Sequence, residues 1–139
     1  EPQRVPLCPM AVEVIEAARL YSADSKFVFR SSYKPEQPVS RPALTRAISR
    51  HLGEMKIKKP FTPHDLRRTL RTRLAELGVS DIVAERVLGH KLQGMLAVYN
   101  RHAYDAEKRA ALMKWERRLR ELLGLSEPEK VISLEERRA

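Results

Sequence analysis

The stretch TPHDLRRTLRTRLAELG, residues 62–78, carries the clearest helix signals in the chain. Thr62 is a suitable N-cap residue, Pro63 suits the first helical position, and Asp65 in the first turn complements the helix dipole. Leucines at positions 66, 70, 74 and 77 recur at the spacing of one helical face, and Gly78 is a typical helix terminator. The stretch therefore predicts an amphipathic helix between Thr62 and Gly78.

The first turns of this predicted helix carry a histidine and an arginine three residues apart, His64 and Arg67. At about 100° per residue they lie about 60° apart round the helix axis, so both side chains can reach one point. The free N–H groups of a helix N-terminus favour anions near that point. Because Arg67 borders the leucine face, we expect a half-buried guanidinium directed into a cleft. This stretch alone leaves two interpretations open, a solvated basic helix face and part of a phosphate-binding site.

The rest of the chain is predicted to be mainly α-helical with a small β element near the N-terminus, which is the α+β class. RVPL (4–7) and KFVF (26–29) are short strand-like runs. Apolar side chains at helical spacing predict further helices from Pro9 to about residue 21, after Ser40, after Ser80 and from about Asp105, with both serines as N-caps. MLAVYNRHAY (95–104) is also compatible with a helix.

The charge of the chain indicates a polyanionic partner. The 139 residues carry a formal net charge of +9, and the sequence pI is about 10.1. Residues 41–75 contain ten lysines and arginines but only two acidic residues. Such a basic domain usually meets nucleic acid first and an anionic membrane second. A solubilising, solvated surface is the alternative that charge alone leaves open.

Composition excludes several other classes of protein. The apolar runs are too short to cross a membrane, and the first residues lack the pattern of a signal peptide. The single cysteine, Cys8, excludes an internal disulfide and a cysteine-built metal site, which leads us to expect a reducing cytoplasm. The chain has no glycine-rich phosphate loop, and its four histidines lack the cysteines or paired carboxylates at ligand spacing that zinc requires, so neither a cofactor nor a metal is expected.

Three motifs in order resemble one known family. HDLR (64–67) has the form H-x-x-R, LGH follows at 88–90, and Tyr99 lies nine residues after His90. This arrangement resembles the tyrosine recombinases, or phage-type integrases. YNR at 99–101 and the helix after it are most similar to integrases of prophages and genomic islands. The resemblance covers roughly residues 1–120, and RVPLCPM (4–10) resembles a V-P-L-S-P segment of the family, with Cys8 in place of the serine.

The resemblance implies a role for each motif residue in site-specific DNA cleavage and rejoining. Tyr99 would be the nucleophile that forms a 3′-phosphotyrosine, and Arg67 would bind the scissile phosphate. His64 would be an acid/base partner, and His90 would donate to a non-bridging oxygen. Arg68, Arg71 and Arg73 are better read as contacts to the DNA backbone or as solvated charge than as catalysts, and Lys91 is assigned to DNA binding with them.

The resemblance also implies the organisation of the chain. Residues 1–123 would be the C-terminal part of an integrase catalytic domain, truncated at its N-terminal side, and residues 124–139 a charged C-terminal tail. The family's other catalytic arginine and its hairpin lysine have no matched position here, so we expect this chain alone to be inactive. Residues 106–123 could dock on a neighbouring protomer or fold back on their own chain.

The expected partners follow from the same resemblance. They are double-stranded DNA at attachment sites, other integrase protomers in a synaptic tetramer and accessory DNA-bending proteins, in a bacterial cytoplasm and without a membrane. Two alternatives remain, a non-catalytic DNA-binding module and a type IB topoisomerase-like nicking enzyme. Tyr104 is a rival nucleophile at the wrong spacing, and His51 and His102 are expected at the surface or at helix ends.

Overall fold

The computed structural model describes residues 4–22, 24–90 and 102–125. Within them the chain forms five α-helices, and the predicted mainly helical class is confirmed. The helices are α1 (Pro9–Leu20), α2 (Arg41–His51), α3 (Pro63–Glu76), α4 (Asp81–Leu88) and α5 (Asp105–Leu123). The run 95–104 lies mostly outside the described residues, and its described end, 102–104, is not helical.

The predicted strands are absent from the described part of the chain. Residues 4–7 and 26–29 contain no strand, and the one β feature of the described residues is an isolated antiparallel bridge between Arg30 and Pro38. A strand needs a neighbouring strand to satisfy its backbone groups. The Arg4 carbonyl instead accepts a hydrogen bond of 2.8 Å from Lys108 Nζ. The structure therefore does not show the predicted strands at these positions. At the second run the pairing is limited to its end, where the Phe29 carbonyl accepts from the Val39 N–H at 2.8 Å.

The chain divides into two compact units. The first unit consists of residues 4–13, 74–90 and 102–125, and the second of residues 14–22 and 24–73.

The first unit contains most of the buried apolar side chains. Helix α4 packs against α5, and α4 alone contributes four buried residues to this core. The buried apolar residues of the unit are Leu74, Val83, Ala84, Val87, Leu88 and Ala111. Residues 105–123 thus pack on their own chain in this structure.

A buried polar cluster joins the start of α1 to α5 within the first unit. Glu116 Oε1 accepts hydrogen bonds from the Met10 N–H at 3.2 Å and from Arg120 Nε at 2.9 Å, and Arg120 also pairs with Glu13 at 2.9 Å. Burial by itself would raise the pKa of Glu116, but hydrogen bonds from Cys8, Arg120 and the Met10 N–H outweigh it and lower that pKa. Burial, followed by the bond to Glu116, raises the pKa of the Cys8 thiol.

This cluster corrects the expected apolar stripe of α5. Leu112, Trp115 and Leu119 are half-buried and Leu122 is exposed, whereas Lys108, Glu116 and Arg120 are buried. The charged side chains are buried because each has a partner within the unit, which offsets the cost of removing it from water.

The second unit buries few side chains. Ile48 on α2 is its one buried apolar residue among those described, and Ser22 is its one buried polar residue. The Ser22 hydroxyl lies against the carbonyls of Ala18 and Val28 and so ties the end of α1 to the loop that follows it. Several large apolar side chains of the unit are exposed, among them Leu44 and Leu66.

The predicted helix ends are largely confirmed, but two of the predicted caps are not. Ser40 and Ser80 stand at the N-cap positions of α2 and α4, yet neither side chain makes a capping hydrogen bond. The Ser40 hydroxyl instead accepts from Arg46 Nη2 at 3.3 Å. Gly124 ends α5 in the left-handed region with φ 64°, as predicted, and residues 126–139 of the expected tail lie outside the described residues. None of the described helices is both long and apolar enough to cross a membrane.

Candidate functional site

A reciprocal capping arrangement fixes the start of α3. The Thr62 N–H and hydroxyl donate to Asp65 Oδ2 at 2.9 and 2.8 Å, and the Asp65 N–H donates to the Thr62 hydroxyl at 3.4 Å. This is a capping box with aspartate at its third position, so the predicted cap is confirmed. The hydrogen bonds from the Thr62 side chain and backbone lower the pKa of Asp65, and the nearby charge of Arg68 adds to this effect.

His64 and Arg67 lie in the first two turns of α3 and share one side of the helix, as their spacing requires. Both are exposed. The prediction that the Arg67 guanidinium is half-buried was wrong. The position of the apolar face was measured from Leu66, and Leu66 is itself 53% exposed. Further along the same face, Leu70 is half-buried and Leu74 is buried. The first turns of α3 therefore present His64 and Arg67 at the surface of the second unit.

The three predicted DNA-contact arginines of α3 lie further along the same helix. Arg68 and Arg73 are exposed, and Arg71 is half-buried. Arg68 Nη1 lies 3.7 Å from Asp65 Oδ1, with most of its side chain open to solvent. An exposed ion pair of this length is weak, so Arg68 loses little when it exchanges the carboxylate for another anion.

The end of α4 determines where His90 lies. Gly89 adopts the left-handed conformation with φ 73°, and its N–H donates to the Arg86 carbonyl at 3.2 Å. The His90 N–H donates to the Glu85 carbonyl at 3.0 Å. These two bonds form a Schellman motif, which explains why a glycine precedes the histidine in the LGH run. The imidazole Nδ1 lies 2.5 Å from Glu85 Oε2.

Sequence reasoning missed Glu85 and the buried charges of α5. A glutamate five residues before a histidine, with a helix-ending glycine between them, is the signal that would have found Glu85, since the Schellman motif folds the second residue back onto the first. Glu116 accepts from the Met10 N–H and Arg120 pairs with Glu13, and both of these partners are more than 100 positions away along the chain, so no local pattern could have indicated them.

Two predicted site residues, Tyr99 and Lys91, lie outside the described residues. The rival Tyr104 is half-buried at the start of α5 with φ 55°, and its ring meets the His102 ring edge to face at 4.5 Å. The expectation that His51 and His102 lie at the surface is confirmed. Both are exposed and face carboxylates, Glu54 at 2.7 Å and Glu107 at 3.1 Å respectively. Among the described residues, no three His, Cys, Asp or Glu side chains are grouped so that they could hold a metal ion.

The helical fold, the order of the motifs and a match to a known family define the class of the protein. A sequence model of the phage integrase family matches residues 3–106, which include His64, Arg67, His90 and Tyr99. The chain belongs to the phage integrase family, and the resemblance to tyrosine recombinases is confirmed.

Individual relatives are similar over most of this chain. Prophage integrase IntZ of Escherichia coli (strain K12) is 34% identical over 115 residues, which cover 82% of this chain and 27% of IntZ. Prophage integrase IntA of the same strain is 32% identical over 113 residues, which cover 80% of this chain and 26% of IntA. Tyrosine recombinase XerA of Pyrococcus furiosus is 27% identical over 111 residues, which cover 76% of this chain and 38% of XerA. The chain spans about a quarter of the length of the two prophage integrases. No solved structure matches it significantly.

Proposed function

We propose that the chain is the C-terminal part of the catalytic domain of a site-specific DNA recombinase, which cleaves and rejoins DNA through a 3′-phosphotyrosine. The observation that carries this proposal is the family match over residues 3–106, because that range contains H-x-x-R, L-G-H and Tyr99 in the family's order. The relatives named prophage integrases support integration and excision of a mobile element as the biological context.

The proposed chemistry suits these residue types. A phosphodiester carries a negative charge, and attack on phosphorus places more charge on the non-bridging oxygens, so catalysis depends on cationic hydrogen bonds and on positioning. Arg67 offers a permanently charged fork that binds two oxygens at once. In this proposal the Tyr99 oxygen forms a bond to phosphorus and the bond from phosphorus to the 5′-oxygen breaks. The 5′-oxygen takes a proton from a general acid and leaves as a hydroxyl; by resemblance that acid is the family's hairpin lysine, which has no matched position in this chain.

The two histidines have different tasks in this scheme. His64 takes the phenolic proton of Tyr99 as that oxygen attacks, or hydrogen-bonds the phosphate. His90 donates to a non-bridging oxygen and so stabilises the charge that develops there. The phosphotyrosyl ester conserves the energy of the broken bond, so that rejoining requires no nucleotide cofactor.

Contacts to the DNA backbone would hold the duplex. The exposed Arg68 and Arg73, the half-buried Arg71 and the sequence neighbour of His90, Lys91, are the residues we assign to this task. Contacts of this kind give affinity that depends steeply on salt and little on base sequence. The partners would be attachment-site duplexes, further protomers in a synaptic tetramer and accessory DNA-bending proteins.

We further infer that residues 1–139 supply only part of the cleavage site. By resemblance the family uses a second arginine and a hairpin lysine for which this chain has no matched positions. We therefore expect the chain alone to form little covalent product on a suicide substrate that traps the phosphotyrosine, compared with the complete recombinase. Covalent product at the rate of the complete enzyme would contradict this inference.

Substitution of the proposed nucleophile tests the function. In the complete recombinase, Tyr99→Phe is expected to abolish the covalent protein–DNA product while DNA affinity in a gel-shift assay is retained. Tyr104→Phe is the matched control, and it is expected to leave covalent product formation intact. Undiminished product from Tyr99→Phe would overturn the assignment.

The same assays separate the two alternatives. A DNA-binding module would yield no covalent product from the wild-type protein under any condition. A type IB topoisomerase-like enzyme would relax supercoiled plasmid without a partner attachment site. The proposed recombinase is instead expected to depend on paired sites.

A further inference from the structure

His90 contacts Glu85 at two points, through its backbone N–H and through its imidazole ring. Its N–H donates to the Glu85 carbonyl at 3.0 Å, and its imidazole Nδ1 lies 2.5 Å from Glu85 Oε2. The first bond closes the Schellman motif, which requires the left-handed φ of 73° at Gly89. The backbone bond fixes where the side chain of His90 begins, and the contact at Nδ1 favours one orientation of the ring.

The helix that carries Glu85 is firmly packed. Four of the eight residues of α4 are buried, namely Val83, Ala84, Val87 and Leu88. Glu85 lies between them in sequence, and its side chain is 32% exposed. The packed core fixes the backbone from which the Glu85 side chain extends, and this favours a constant position for the carboxylate that the His90 ring contacts.

The contact determines which ring nitrogen carries the proton. An ionised carboxylate only accepts hydrogen bonds, so Nδ1 must be the donor to Glu85. Nε2 then points away from Glu85, because the two nitrogens of an imidazole face outward in widely different directions. The His90 side chain is 52% exposed, so the ring is accessible to a ligand. A donor bond from Nε2 to a phosphate oxygen requires a second ring proton, so that the ring would donate from both nitrogens at once.

We propose that Glu85 is a positioning residue for His90, holding its Nδ1–H so that Nε2 is the nitrogen presented to the scissile phosphate. The role in cleavage rests on the proposed function, whereas the orientation of the ring does not. Glu85 touches no reacting atom in this scheme and acts on cleavage through His90. Carboxylates that orient metal-binding histidines typically affect affinity or activity by about 10- to 100-fold, and we expect an effect of at least the lower size here.

Nuclear magnetic resonance of the histidine rings tests the orientation on this chain. Long-range proton–nitrogen spectra distinguish the two neutral tautomers, and His90→Gln identifies the His90 signals among the four histidines. In the wild type we expect the neutral His90 ring to carry its proton on Nδ1. Glu85→Met, which keeps length and helix propensity, should shift the proton towards Nε2, and Glu85→Gln, which keeps an acceptor oxygen, should partly restore it. A wild-type Nε2–H tautomer would overturn the proposal.

A second Glu–His pair provides the control for this measurement. His51 Nδ1 and Glu54 Oε2 lie 2.7 Å apart on an exposed surface and take no part in the proposed chemistry. Glu54→Met should leave the His90 signals and the cleavage rate unchanged. Backbone amide spectra of each variant show whether the fold is preserved.

A double-mutant cycle in the complete recombinase tests the role in cleavage. We expect Glu85→Met to slow covalent product formation at least tenfold in single turnover, with DNA affinity unchanged. In a His90→Gln background the same substitution should cost less than about twofold, because the residue through which Glu85 acts is already gone. An equal loss in both backgrounds would indicate a general structural effect and would overturn the proposal.

The tautomer measurement and the double-mutant cycle test different claims, so one can contradict the proposal while the other does not. If the complete protein forms no covalent product at all, the proposed function fails, and the tautomer of His90 still decides whether Glu85 orients the ring. If Tyr99 is the nucleophile but the losses of cleavage rate in the cycle are additive, the proposed function is supported and the role of Glu85 is contradicted.

Discussion

The two histidines assigned to the proposed site are held in place by different kinds of contact. His64 lies in the first turn of α3, beside the 53% exposed Leu66, and within the described residues no side-chain hydrogen bond holds its imidazole. His90 follows α4, beside the 7% exposed Leu88, and Glu85 bonds both its backbone and its ring. The His64 end is organised by a local capping box, and the His90 end by a packed core.

This difference shows that the position of a histidine can be determined by local hydrogen bonds or by tertiary packing. A capping box needs four consecutive residues, so it determines where α3 begins but not how its side chains are buried. The core below His90 depends on the packing of α4 against α5, which are separated along the chain. The position of His90 should therefore be sensitive to substitutions in the core, and that of His64 to substitutions in the cap.

A matched pair of leucine substitutions tests this contrast most strongly. Leu88→Ala, two residues before His90, is expected to lower the free energy of unfolding by about 2–5 kcal/mol because it leaves a cavity in the core. Leu66→Ala, two residues after His64, should cost less than about 1 kcal/mol. Urea denaturation followed by far-UV circular dichroism measures both. Equal losses would mean that the two ends are equally well packed.

Glycine substitutions test the turn that carries His90. Gly89→Ala forces a side chain into the left-handed region and should cost about 1–2 kcal/mol, and it should also weaken the contact between His90 and Glu85. Gly53→Ala, just after α2, is the control, since Gly53 does not have a positive φ and a Cβ there meets nothing within 4 Å. The thermal midpoints and the His90 ring signals are the readouts. A Gly89→Ala protein with an unchanged His90 spectrum would contradict the role of the turn.

Substitution of two N-cap residues, Thr62 at α3 and Ser80 at α4, tests how much the capping hydrogen bonds stabilise the start of α3. Thr62→Ala removes a hydroxyl that exchanges hydrogen bonds with Asp65 and should cost about 1 kcal/mol. Ser80→Ala removes a hydroxyl that makes no capping bond at α4, so a change of at most a few tenths of a kcal/mol is expected. Denaturation midpoints decide between them, and a larger loss for Ser80→Ala would reverse the comparison.

Acid should loosen the start of α3 by a small amount. The pKa of Asp65 lies below its ordinary value because the Thr62 side chain and backbone donate to the ionised form. Its stabilising contribution is therefore complete above the unfolded carboxyl pKa of about 3.9 and is lost as the pH falls through the lower folded value. The Thr62 amide resonance should follow this titration and should cease to respond to it in Asp65→Asn. A Thr62 resonance that moves only above pH 5 would contradict the assignment.

Much of the helical fold could be predicted because its signals are local. The capping residue, the following proline and the leucine spacing of residues 62–78 correctly predicted α3, and Gly89 and Gly124 marked the ends of α4 and α5. The structure does not show the strands predicted at 4–7 and 26–29, because a strand also requires a partner. The assignments of His64, Arg67, His90 and Tyr99 to a site stay predictions.

Burial was the property that local patterns predicted least well. Leu66 belongs to the leucine face of α3 yet is exposed, while Glu116 and Arg120 belong to a charged run yet are buried. Helical periodicity ranks the faces of a helix by polarity, but it cannot tell how far along the helix the neighbouring elements extend. It also cannot show that a charged side chain has a distant partner.

The amino-acid sequence by itself determined where the helices begin and end and in which order the family's motifs occur, since caps, breakers and spacings act over a few residues. Only the tertiary structure decided which side chains are buried and which residue holds His90, because these depend on contacts that form when the chain folds back on itself. Glu85 shows the boundary between the two: its spacing to His90 is written in the sequence, but the contact exists because Gly89 turns the chain back at the end of a packed helix.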